Sequence, residues 1–320
     1  MDSFWSSKSV LVIGGNGYLG VEMTQKLLHE GAVVTSVDRD QVMNPNAQGA
    51  EYVCQDLSDF DGLRKMLQKN KFNTCFYLAG FSNIGKARES PLEAFTANVQ
   101  AVCNLLEAIR RSDNFPHTVV ASSNHIYGKQ SKYPTPEDAP LNSSDIYGAT
   151  KGCGDMIARA YAATYNSPVA VARITNTYGG HEPYRNHLIP FLISEFQKEV
   201  APMLKGNGNA MKGFLYIKDT INGLLILAKN MGRKELWGEA FNFYPDHNIS
   251  VFNIVKTISK VMNRPDLLSG INEGSIKDSN EDIEYLSNHS AKSKLGWKQE
   301  ISLENGVSLS IEDYKKYGGV

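Results

Sequence analysis

The stretch VLVIGGNGYLGVEMTQKLLHEG, residues 10–31, constrains the fold more than any other part of the chain. A short apolar run leads into Gly14, Gly17 and Gly20 at three-residue spacing, and an amphipathic segment follows. Glycines so spaced let the backbone turn tightly and approach a pyrophosphate, while the amino end of the next helix offers unpaired N–H groups and partial positive charge. Asn16, Tyr18 and Leu19 fill the loop between them and are read as part of the same cofactor site. A glycine trio alone is weak evidence. Here a strand precedes it, a helix follows, and a second strand ends at Asp38, whose carboxylate can accept from both ribose hydroxyls and would repel a 2′-phosphate. NAD is therefore favoured over NADP, with the neighbouring Arg39 as the one group that could tolerate the extra phosphate.

The first half continues the alternation of short apolar runs and longer amphipathic segments expected of a parallel sheet with crossover helices. Strands are predicted at 9–14, 32–38, 51–56, 74–80, 117–123 and 168–174, and helices at 19–30, 60–69, 92–111 and 147–165. The fold class is α/β, a doubly wound parallel sheet with a smaller carboxyl-terminal lobe. Residues 1–175 form the dinucleotide-binding part, 214–245 return to it, and 176–213 with 246–320 form the lobe over the carboxyl ends of the strands, where ligands sit in open α/β sheets. In the later part, helices are predicted at 188–199, 217–229 and 251–262 and a strand at 239–244. Asp56 and Leu57 after the third strand, and Leu78, Ala79 and Gly80 ending the fourth, are expected to line the cofactor site. Asp56 is open to two readings, an acceptor for the adenine amino group or the N-cap of the helix that follows.

A net charge of -1, from 33 basic and 34 acidic residues, and the lack of a long basic run exclude a nucleic-acid partner. Apolar runs such as GLLILA fall far short of the ~20 residues a bilayer demands, so no membrane association is expected. Met1–Lys8 is polar and unlike a leader, and Cys54, Cys75, Cys103 and Cys153 are scattered, as in a reducing, cytoplasmic setting.

In DIYGATKGCGDMIARAYAATY, Tyr147 and Lys151 are four apart at the start of a helical pattern and share a face. A phenol exchanging a proton near neutrality needs its pKa brought below about 10, and a nearby ammonium favours the phenolate. An isolated Tyr-x-x-x-Lys would be an unremarkable helix surface. This one lies downstream of a nucleotide loop, and the fifth strand delivers Ser122 and Ser123 just before it.

With the glycine loop, NVQAVCNLLEA, ASSNHIYG, YGATK and RITNTYGG in this order, the chain resembles the extended short-chain dehydrogenase/reductase family, particularly its nucleotide-sugar epimerases and dehydratases. The likeness runs over essentially the full length. It implies that Tyr147 is the general base and acid, that Lys151 holds the nicotinamide ribose and lowers the tyrosine pKa, and that Ser123 bonds the reacting hydroxyl. It implies a supporting role for Asn98, a sugar-diphosphate contact for Asn176, a homodimer built on the helices at 92–111 and 147–165, and a substrate-covering role for the terminal LGW segment. Lys212 and Gly213 stand where the family has Arg-Asp; a lysine keeps the charge but not the bidentate fork. In GGHEPYRNH, Arg185 is a candidate phosphate contact. A metal held by His181, Glu182 and His187 is not expected, since their spacing matches no ligand pattern.

Family dehydratases follow the active serine or threonine with an acid and then Glu or Lys; this chain has Asn124 and His125. An amide cannot serve as a proton donor in the way a carboxylic acid does, so the elimination machinery is incomplete. His125 suits acid/base work at cellular pH, and a substrate contact or a structural place in the turn are the alternatives. The expected activity is NAD-dependent epimerisation of a nucleotide-diphosphate hexose through a 4-keto intermediate. The alternatives are a 4,6-dehydratase of the CDP-glucose kind, which the EDIEYLS segment resembles, a 4-dehydrogenase releasing NADH, or a non-catalytic NAD sensor.

Overall fold

A computed structural model describes residues 4–204, 208–270 and 283–316. The first half alternates as the apolar runs require: β1 (Ser9–Ile13), α1 (Tyr18–His29), β2 (Val33–Asp38), β3 (Glu51–Cys54), α2 (Phe60–Lys69) and β4 (Thr74–Tyr77). Short helices α3 (Ile84–Glu89) and α4 (Pro91–Phe95) precede α5 (Ala101–Arg110), then come β5 (His117–Ser123), α6 (Ile146–Tyr165) and β6 (Val169–Ile174). The second half holds β7 (Asn176–Tyr178), α7 (Leu188–Gln197), β8 (Met211–Lys212), β9 (Phe214–Tyr216), α8 (Ile217–Asn230), β10 (Ala240–Phe243), β11 (Ile249–Ser250), α9 (Val251–Val261), α10 (His289–Leu295) and α11 (Leu303–Lys316).

Seven strands form one parallel sheet in the order β10-β6-β5-β4-β1-β2-β3. The segment 239–244 is thus the seventh strand, paired to β6 with Ala240 opposite Val171. The sheet is covered on both faces, which is why its strands read as unbroken apolar runs. On β1, Val10 and Val12 join a core with Met23 and Leu27 of α1 and with residues of α7, α8 and α9, whereas Leu11 and Ile13 join Leu63, Leu105 and Ala158 of α2, α5 and α6. Strand order turns back on itself between β1 and β4, the switch point where a crevice opens at the carboxyl ends.

The helix predicted over 92–111 is broken. Between α4 and α5, residues Thr96–Gln100 form a π-turn, which rotates Asn98 into the interior, 2% exposed. Trp297 of the LGW segment is also buried. Its ring packs edge-on against Phe243 at 5.4 Å and its Nε1 donates to the Asp219 carbonyl, so this segment is docked into the core beside α8 rather than over the crevice. Among the described residues no helix is long and apolar enough to cross a membrane.

Candidate active site

A cavity of about 1260 Å³ opens at the switch point, walled by the glycine loop, the ends of β2 to β6, the start of α6 and the β7–α7 loop. At its nucleotide end Gly14 adopts φ +84, and a Cβ there would lie 2.5 Å from the Ala79 backbone nitrogen; one on Gly20 would lie 2.0 Å from the Gly14 carbonyl oxygen. Any side chain would separate the loop from β4 or lift α1 off the loop. Gly17 caps α1 without a side-chain hydrogen bond, leaving the first N–H groups of the helix directed at the cavity. Asp38 ends β2 with one oxygen accepting from Asn16 N (3.0 Å) and the other from Arg39 N (2.8 Å). The Asn16 side chain in turn donates to the Val42 carbonyl and to Tyr52 Oη. Asp56 accepts from Ser58 N at 2.8 Å, and the cap of α2 is Asp59, bonded to Gly62 N; the capping alternative for Asp56 is therefore corrected.

At the catalytic end, Asp145 caps α6 through Gly148 N (2.8 Å) and presents Tyr147 to the cavity, 9% exposed. A side chain at residue 148 would meet Ser143 Oγ at 2.1 Å and the His125 carbonyl at 2.5 Å, so glycine there lets α6 lie directly on the turn after β5. Ser123 ends β5 beside the Tyr147 phenol, and the His125 ring sits edge-on to the Tyr147 ring at 5.5 Å; among the described residues the His125 ring nitrogens have no hydrogen-bond partner. Lys151 lies one turn further along α6, its ammonium beside Gly80. Asn98 supports this corner from beneath: it accepts from Phe81 N (2.9 Å) and donates to Thr150 Oγ1 (3.0 Å), tying the loop after β4 to α6.

Burial holds the Tyr147 pKa above its ordinary value; the hydrogen bond with Ser123 opposes this, and Asp145 and Tyr184 add to it. Lys151 is not among the groups that move it. Desolvation of the phenol is the largest cause of that shift. Burial also pushes Lys151 down, to about 8. Among the described residues neither the Lys151 ammonium nor the buried Ser122 Oγ has a hydrogen-bond partner. An unpaired ammonium facing a polar cavity wants oxygen partners such as ribose hydroxyls. With the glycine cradle and Asp38, the residues present fit a dinucleotide.

The lobe side closes the cavity with Lys212 and Asn176. Lys212 is ion-paired to Glu284, and the Asn176 amide donates to Glu284 (3.2 Å) and to the Gly213 carbonyl (3.1 Å). Asn124, buried, donates to the same carboxylate at 2.9 Å and accepts from Ser123 Oγ at 3.3 Å. Both polar groups of Asn124 are therefore committed to protein partners. Glu284 was missed in the sequence; a lone acid in DIEYLS carries no pattern that could have marked it.

The polar loop divides. Glu182, its carboxyl pKa raised by burial, accepts from His187 Nδ1 (2.7 Å) and from Tyr314 Oη (3.3 Å), and Tyr184 bonds Ser82; all three loop residues line the cavity. His181 turns away to Glu22 at 3.0 Å. Arg185 is placed over the Tyr314 ring at 5.2 Å and does not line the cavity, so the expected phosphate contact is not formed by its position.

The family model for the NAD dependent epimerase/dehydratase family matches residues 10–242. The bifunctional UDP-glucose 4-epimerase and UDP-xylose 4-epimerase 1 of Pisum sativum is 26% identical, covering 93% of each chain. The CDP-glucose 4,6-dehydratase of Salmonella typhimurium is 22% identical, over 98% of this chain and 92% of its own. A UDP-glucose 4-epimerase structure from Thermotoga maritima superposes with a TM-score of 0.83 at 22% identity, covering 96% of this chain and 99% of that one. The chain belongs to the NAD dependent epimerase/dehydratase family, with NAD as its cofactor.

Proposed function

We propose that the protein is a C4 epimerase of nucleotide-diphosphate hexoses, working through transient oxidation at C4. The observation that carries this reading is the state of Asn124. Where a dehydratase would hold an acid ready to protonate a departing C6 hydroxyl, this chain has an amide with its oxygen on Ser123 and its nitrogen on Glu284. Neither group can deliver a proton.

Bound NAD supplies the hydride acceptor and donor and a positively charged ring. Lys151 is the group to hold its ribose hydroxyls, and Asp38 those of the adenosine. The Tyr147 oxygen takes the proton from the C4 hydroxyl as hydride leaves C4 and gives it back when hydride returns to the other face. Ser123 Oγ, beside that phenol, holds the same hydroxyl in line. His125, against the Tyr147 ring, is assigned a contact with the sugar. The diphosphate is assigned to the end of the cavity where Asn176 and Lys212 stand; because Glu284 neutralises Lys212, this grip is weaker than a free cation would give.

The runner-up, a 4,6-dehydratase, rests on the relation to the CDP-glucose enzyme and would need His125 as its acid. NMR of the protein with UDP-, dTDP- and CDP-hexoses separates the two. An epimerase yields a diastereomer with every hydroxyl kept, whereas a dehydratase yields a 4-keto sugar bearing a new C6 methyl group. Appearance of that methyl signal would refute the epimerase reading.

A further inference from the structure

The turn that follows β2 brings two carboxylates to the nucleotide end of the cavity, and one residue holds both. Asp38 accepts from the Asn16 backbone N–H at 3.0 Å, and Asp40 accepts from the Asn16 side-chain amide at 3.3 Å. The same amide donates to the Val42 carbonyl and to Tyr52 Oη, while Asn16 Oδ1 accepts from Asn44 N at 2.8 Å. Such a hub needs donors and an acceptor on one short side chain, which asparagine supplies. Tyr52 Oη closes the ring by donating to the Asp40 carbonyl at 2.7 Å. Asn44 then accepts from Asn46 N to cap the turn Pro45–Ala47, and Gln25 of α1 donates to the Asn46 carbonyl, so the loop is fastened to the helix that the glycines begin. The Tyr52 phenol pKa is raised by burial first and then by the charges of Asp38 and Asp40, so one group feels both carboxylates.

Asp38, Arg39 and Asp40 all line the cavity, and among the described residues Arg39 has no ion-pair partner. An NAD ribose brings only hydroxyls to this rim, whereas NADP brings a phosphate dianion. Asp38 by itself is matched by the guanidinium next to it, which would draw that phosphate in. The second carboxylate makes the rim net negative. We propose that Asp40 is a further specificity-determining residue for the cofactor, whose charge outweighs Arg39 and keeps a 2′-phosphate out. Asp38 remains the group that receives the ribose hydroxyls. The inference concerns the cofactor alone and goes beyond the sugar chemistry proposed above.

Calorimetric titration with NAD and with NADP tests it, with NADP measured by competition against NAD where its own binding is too weak. Asp40→Asn keeps an oxygen for the Asn16 amide and loses the charge. The ratio of the NADP to the NAD dissociation constant should then fall roughly threefold to tenfold, the effect of one exposed charge on a nearby dianion, and the fall should be mostly lost in about 0.5 M salt. Asp40→Glu, which keeps the charge, should keep the wild-type ratio. A ratio unchanged or raised in Asp40→Asn overturns the proposal. So does an equal fall in Asp40→Glu, or a fall that salt leaves untouched, because either marks a change of loop shape rather than of charge. An Asp40→Asn protein that no longer binds NAD overturns it as well, since the carboxylate would then be holding the loop. The titration needs no sugar, so its outcome is independent of whether any nucleotide sugar is turned over.

Discussion

Lys151 is a half-buried cation with no partner among the described residues, and replacing it with methionine removes the cost of desolvating it while keeping the length of the side chain. The drop of the lysine pKa from 10.5 to about 8 corresponds to roughly 3 kcal/mol for a fully desolvated ammonium, and the partial solvent contact of this side chain reduces it to about 1–2 kcal/mol. Because the folded pKa lies below the unfolded one, the cost is complete below about pH 8, fades as pH rises past it, and is gone only well above 10.5, where both states are neutral. Lys151→Met should therefore melt about 2 °C above the wild type at pH 7, with the gap narrowing to a fraction of that by pH 10. Saturating NAD should reverse the order by giving the wild-type ammonium its missing oxygen partners. Differential scanning fluorimetry across pH, with and without NAD, reads all three effects. A variant that melts at or below the wild type at pH 7, or a gap that does not change with pH, would refute the claim that Lys151 is held unpaired for the cofactor.

Asp38→Ala should weaken NAD about tenfold or more, the loss expected for hydrogen bonds to a charged group, and should narrow the preference over NADP; calorimetric titration with both cofactors measures this. A variant that still excludes NADP would reassign selectivity to other groups. The exposed side chains of Leu92 (81%), Phe95 (51%) and Met156 (52%) lie on α4 and α6, the helices expected to pair two copies. Sedimentation should find twice 35.4 kDa for the wild type and the monomer for Leu92→Asp/Met156→Asp; a wild-type monomer contradicts the dimer.

Where pattern and chemistry are local, the sequence was legible. The glycine loop, β5 ending at Ser123, and α2 at Phe60–Lys69 follow directly from apolar periodicity and turn residues. What could not be read depends on distant partners. The π-turn that buries Asn98 makes sense only once Phe81 and Thr150 are beside it. The commitment of Asn124 arises from Glu284, 160 positions away. The Tyr147–Lys151 spacing was plain, but the burial that raises the phenol pKa comes from packing that the local sequence does not display. Arg185 reads as a free cation in GGHEPYRNH, yet the aromatic face of Tyr314 claims it.

The most direct test of the central claim follows the hydrogen on C4. With a nucleotide-diphosphate hexose deuterated at C4, the account predicts a product of inverted configuration at C4 that retains its deuterium, formed with NAD regenerated at each turnover. Tyr147→Phe should bind NAD normally and lose about 10²–10⁴ of kcat. Deuterium lost to solvent, or turnover unaffected by Tyr147→Phe, would contradict it.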